Sequence, residues 1–204
     1  MADILMDNQT APSTPASGKS VLFIDSTTKK LVQTDDGGIR RGGFLSRNSS
    51  TAAQGLLATT EVYLTGSGLL VPSFGLDAGC TMVWYISVVK TGAGVAAPVW
   101  TFRIGPNQST ADTSRLALTS TGAQVGTAMD GILTAMLHVR TSGASGVLDG
   151  SGGAGPANFG GGGSGASSAV DLTSTIAGQF VGLTVTTGAS AAWTVNAVSA
   201  VMFN

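Results

Sequence analysis

Between Thr81 and Gly105 the chain carries two runs, TMVWYISVVK and PVWTFRIG, that are apolar on both sides of an extended backbone, with TGAGVAA between them. In the first run Trp84, Ile86 and Val88 fall on one pleat face, while Val83, Tyr85 and Val89 fall on the other. β-Branched and aromatic residues around a Gly/Ala turn predict two adjacent antiparallel strands. Neither face of such a strand can be left fully to water. Whatever else the chain does, it must supply a second layer to cover this pair.

The rest of the sequence supplies it in the same currency. Strands are predicted near 56–64, 69–71, 115–120, 131–141, 147–148, 169–172, 180–187 and 192–203, divided by Gly-marked turns. Residues 130–139 (DGILTAMLHV) contain helix formers, but Leu133, Ala135, Leu137 and Val139 alternate with Thr134, Met136, His138 and Arg140, which favours a strand. With no long helical pattern, the expectation is all-β: a two-sheet antiparallel sandwich, jelly-roll-like, preceded by an N-terminal arm and β-hairpin. The Cys…Trp…Cys spacing of immunoglobulin domains is absent.

Residues 1–43 form the expected arm and hairpin, 44–50 a connector and 51–204 the sandwich. In the arm, Ile4, Leu5 and Met6 are a short apolar cluster, and Pro12 and Pro15 hold the chain extended. SVLFID (20–25) and KKLVQT (29–34) then read as a hairpin closed by Asp35-Asp36-Gly37-Gly38. Two strands alone are marginal in water, so this hairpin must pair with something. The polar, Gly-interrupted IRRGGFLSRNSS (39–50) is the expected boundary.

Two other stretches carry expectations. Residues 150–165 hold nine glycines in 16 positions, predicting a flexible exposed loop whose one large apolar group, Phe159, is available to a neighbouring subunit. At the C-terminus, from Ala197 on, both faces are apolar, predicting that Val198, Ala200 and Met202 help to form a subunit interface.

Charge narrows the function classes. Only 10% of residues are charged, against a usual quarter or so, and 11 of the 21 charges sit in the first 50 residues. A body this poor in charge predicts subunit contacts over part of its surface. A net charge of -1 provides no basic field for nucleic acid or an anionic membrane. One cysteine, Cys80, allows neither an internal disulfide nor a multi-Cys metal site. MADILMDNQ lacks a basic leader region, and no run is long enough for a membrane span, so synthesis in a cytoplasm is expected.

No enzyme chemistry is expected, and no cofactor or metal. Ser17-Gly18-Lys19-Ser20 resembles the end of a phosphate-binding loop, but Ser13 stands where its first glycine is needed, and the fragment precedes a strand instead of following one. His138 is the only histidine and no GxSxG elbow accompanies it. Glu61 is the only glutamate, and no carboxylate pair can be read from spacing. Asp35-Asp36-Gly37 lacks the alternation of a calcium loop. Tyr63, Tyr85, Trp84, Trp100 and Trp193 are the residues a sugar-stacking platform would use, although core packing explains most of them.

Residues 12–38, PSTPASGKSVLFIDSTTKKLVQTDDGG, resemble a segment of tailed-bacteriophage virion proteins: spaced prolines, Gly-Lys, an apolar strand, a polar turn, a Lys-led strand and an Asp-Gly close. The C-terminal FVGLTVTTGASAAWTVNAVSAVMFN is similar to the closing strands of phage jelly rolls. The resemblance covers about a third of the chain. It implies a non-enzymatic virion component, assembled in the host cytoplasm as a homotrimer. Ile4, Leu5, Met6, Val21, Phe23 and Leu31 would attach it to the major capsid protein or another virion protein, with the sandwich facing outward. A capsid decoration or cement protein is the first expectation, because no repeats or coiled-coil shaft of a tail fibre are present. A tail-fibre tip that contacts host-surface glycan is the alternative.

Overall fold

The computed structural model describes residues 8–10, 13–19, 21–26, 31–34, 40–42, 44–56, 60–91, 96–156, 159–188 and 193–203. The chain divides into two compact units, Met1–Leu45 with Phe203–Asn204, and Ser46–Met202.

The first unit holds a four-stranded sheet in the order β1-β2-β3-β4: β1 (Asn8–Gln9), β2 (Val21–Asp25), β3 (Leu31–Thr34) and β4 (Arg40–Gly42). The expected hairpin is the antiparallel pair β2–β3, with Phe23 opposite Val32 and both side chains buried. β1 adds to β2 in parallel, Asn8 opposite Ile24, so a stretch read as an irregular arm contributes a short strand. Gly18, at φ +75°, lies in the turn closed by the Lys19 amide on the Ala16 carbonyl at 3.0 Å. The phosphate-loop fragment is therefore a turn that leads into a strand.

From Phe44 on, the strands are β5 (Phe44–Ser50), β6 (Gln54–Leu56), β7 (Val62–Tyr63), β8 (Leu69–Leu70), β9 (Thr81–Lys90), β10 (Val99–Gly105), β11 (Thr113–Thr119), β12 (Met129–Thr141), β13 (Gly146–Ala154), β14 (Gly163–Val170), β15 (Phe180–Thr186) and β16 (Trp193–Phe203). A 3-10 turn, Ser174–Ile176, precedes β15. One sheet runs β14-β13-β12-β9-β16-β5, with β6 also on β16; the other runs β11-β10-β15-β7, with β8 also on β15. The protein is an all-β sandwich. Numbering β5, β7, β9, β10, β11, β12, β15 and β16 as one to eight gives sheets 6-3-8-1 and 5-4-7-2, the strand order of an eight-stranded jelly roll. The hairpin β13–β14 is an addition between the sixth and seventh strands.

Alternation decides which side chains enter the core. On β9, Met82, Trp84, Ile86 and Val88 point inward; on β12, Leu133, Ala135, Leu137 and Val139 do. From the opposing sheet come Trp100, Phe102 and Ile104 of β10 and Val181, Leu183 and Val185 of β15. Trp84 meets Phe102 with ring centroids 5.4 Å apart, and Trp100 meets Trp193 at 5.9 Å. Such pairs add about 0.5–1.5 kcal/mol beyond their buried area.

Two expectations about irregular structure are corrected. Residues 44–50 are not a connector but β5. Its polar side chains bond to the backbone beside it: the Ser46 hydroxyl accepts from the Leu70 amide at 3.0 Å, and Asn48 Nδ2 donates to the Gly68 carbonyl at 2.9 Å. The glycine-rich stretch 150–165 is not a flexible loop either. Half of it lies in β13 and β14, paired Gly150 to Gly165 and Gly152 to Gly163. Its glycines make room for the other sheet. A Cβ on Gly150 would stand 2.6 Å from Leu116 Cδ2, and one on Gly152 would stand 2.6 Å from Trp100 Cβ. Glycine here lets a backbone lie directly on large side chains.

Candidate interaction surfaces

The outward residues of β9 and β12 form one face. Their antiparallel register sets Val89 beside Asp130, Ser87 beside Ile132, Tyr85 beside Thr134, Val83 beside Met136 and Thr81 beside His138. Ile132 is 62% exposed, Tyr85 50%, Met136 42% and Val89 39%. These are four of the eight large apolar residues that stand exposed among the described residues, and they sit together on two adjacent strands. At one end of the face His138 Nδ1 lies 3.0 Å from the Thr81 hydroxyl, which itself donates to the Gly79 carbonyl at 3.3 Å. Arg140 pairs with Asp149 at 3.5 Å in an exposed ion pair, worth at most about 1 kcal/mol.

On the inner side of β9 the row ends in Lys90, a fully covered lysine. Its ammonium donates to the carbonyls of Val125 and, at 3.2 Å, Thr127. Burial lowers its pKa from the usual lysine value. The lysine ties the segment before β12 to the end of β9.

The outer side of the five-stranded sheet holds a polar cluster. Arg103 Nε and Nη2 reach Glu61 at 3.0 and 2.7 Å, a bidentate fork, and Nη1 donates to the Asp112 carbonyl. The Thr184 hydroxyl shares its one proton between Glu61 and the Thr101 carbonyl, the latter at 3.1 Å. Burial by itself pushes the Glu61 carboxyl upward, but the bonds from Arg103 and Thr184 outweigh it and hold the pKa below the usual glutamate value. Asp112, buried, accepts from the amides of Asn107 (2.9 Å) and Ser109 (3.2 Å) and shapes the turn after β10. The Tyr63 ring lies over Gly182, and burial raises its hydroxyl pKa to about 12. These groups join β10, β15 and the approach to β7; they pair with one another and with the backbone rather than aiming at a common point.

Neither a metal centre nor a nucleophile emerges from these side chains. No group of three or more His, Cys, Asp or Glu among the described residues is placed to hold a metal ion. Cys80 is buried, and desolvation pushes its thiol up to about 12, so it stays protonated. No helix among the described residues is long and apolar enough to cross a membrane.

The residues singled out from the sequence scatter. Ile4, Leu5 and Met6 lie outside the described residues. Leu31 stands opposite Ile24 in the β2–β3 register, Val21 is half-buried, and Phe23 is buried and unavailable to a particle. Leu22, one position away and 54% exposed, is the outward apolar residue of β2. Val198, Ala200 and Met202 are not an exposed interface: all three are buried within this chain. Met202→Lys would place an ammonium in the core. Phe159 is not exposed either. It is 1% accessible, and its ring meets Trp193 edge-on at 5.4 Å and 89°. The sugar platform does not form, since Trp84, Trp100 and Trp193 are core residues and Tyr63 and Tyr85 lie on different sheets. The face over β9 and β12 was missed as a site, yet its signal was present in the two-sided apolar pattern of 81–90. No protein-family model matches the chain, and no curated protein matches it.

Proposed function

We propose that this chain is a non-enzymatic structural protein of a tailed-bacteriophage virion, a homotrimeric capsid decoration or cement protein attached to the major capsid protein through its N-terminal region. The observation that carries the reading is the resemblance of residues 12–38 to the attachment segments of such virion proteins, followed in the same chain by a charge-poor jelly roll. The division into a small N-terminal unit and a larger sandwich supports separate attachment and display. Within the N-terminal unit, Leu22 is the exposed apolar contact and Phe23 the buried support.

The test is occupancy. Particles lacking the protein are incubated with the full chain or with a chain lacking residues 1–43, and bound copies are counted. Full-chain binding at hundreds of copies, lost on truncation, is the expected result. A handful of copies would place the protein on the tail, and unchanged occupancy of the truncated chain would end the anchoring role.

A further inference from the structure

The geometry points to the outer face of β9 and β12 as the seat of a second copy of this chain. The inference rests on the assembly part of the proposed function and deepens it by naming the surface.

The apolar residues on this face are not scattered. Tyr85, Val89, Ile132 and Met136 are contiguous in register, with Val83 closed in beside Met136 and only Ser87 and Thr134 between them. Isolated exposed apolar side chains need no partner, but a contiguous row on the middle strands of a sheet is the mark of a covered surface. On the neighbouring β16 the exposed residues Thr194, Asn196 and Ser199 are polar, and the one exposed large apolar residue, Phe203, stands at the strand's last position.

Charge selects the occupant. Along β12 the outward positions run Asp130, Ile132, Thr134, Met136, His138, Arg140: an acid at one end, at the other a base that shares Asp149 in an exposed ion pair, and no charge in the middle. A strongly basic or acidic partner would meet its own sign at one end. An identical face set against this one brings Asp130 of one copy toward Arg140 of the next and sets the uncharged centres together. The body's scarcity of charge argues the same way, since identical copies then approach without net repulsion. Burying the row removes the unsatisfied face that both apolar sides of β9 create.

The experiment measures mass in particle-free solution with the full chain across a hundredfold range of micromolar concentrations. Wild type is expected at two or three chains. Ile132→Lys, on a side chain already 62% exposed, is expected to shift it to one chain with an unchanged far-ultraviolet spectrum and unfolding midpoint at low concentration. Leu70→Lys, on the exposed face of β8 in the other sheet, is the control and should keep the wild-type mass. A wild type that stays single, or an Ile132→Lys chain that keeps the wild-type mass, overturns the inference. The virion reading is scored separately, by particle occupancy: single chains that still fill particles would sink this inference alone, whereas associated chains that bind no particle would sink the virion reading alone.

Discussion

Glu61 shows how one side chain holds three strands in place. Its carboxylate receives the fork from Arg103 on β10 and the hydroxyl of Thr184 on β15, and it enters β7 at the next residue. Because the folded-state pKa is lowered from 4.5, the ionised form contributes stability above that value, and the contribution is lost as pH falls through the folded pKa. Glu61→Gln is expected to lower stability by about 1–2 kcal/mol at neutral pH. The gap from wild type should narrow in acid, as read from urea midpoints at both pH values. A gap independent of pH would mean that the carboxylate's charge is irrelevant to the cluster. Lys90 shifts in the same direction for a different reason, burial of its charge. Its pKa is lowered, so the charged form is penalised in the fold, and stability rises as pH climbs from the folded pKa toward the usual 10.5. Lys90→Met should remove that alkaline gain, measured as the difference between variant and wild type across the range.

At the scale of elements, the hairpin β13–β14 is the instructive case. As a loop it would tolerate alanine anywhere; as a strand pair pressed on Trp100 and Leu116 it should not. Gly152→Ala is expected to destabilise by about 1–3 kcal/mol, because Trp100 Cβ cannot move out of the way. Gly55→Ala in β6, with open space around the new methyl, should stay within about 0.5 kcal/mol of wild type. Chemical denaturation of the two variants decides between the descriptions, and equal midpoints would rule out the packed hairpin. The same logic governs β16. Its apolar tail looks two-sided in the sequence, but Val198, Ala200 and Met202 face the core while Thr194, Asn196 and Ser199 face out. The residues between those rows shift parity near Ala197, where burial changes from odd to even positions.

At the scale of the whole molecule, a covered face ties stability to concentration. If copies meet through β9 and β12, the unfolding temperature should rise by about 2–4 °C for each tenfold increase in protein concentration, because association stabilises only the folded chain. Ile132→Lys should flatten that slope. Differential scanning calorimetry over three decades of concentration reads both, and a flat wild-type slope would contradict association.

Local pattern alone determined much of this protein. β-Branched and aromatic content marked 81–90 as a strand and period-two alternation marked 131–141, the absence of helical periodicity made the fold all-β, and the two-sided apolar row of 81–90 announced a face that water does not suit. Only the tertiary structure decided the roles of Phe159, Val198, Met202 and the glycines of β13 and β14. Alternation says that two neighbours point to opposite sides, not which side faces the other sheet. Glycine carries no side chain to declare a face at all, so its meaning here came from Trp100 and Leu116 lying across the gap.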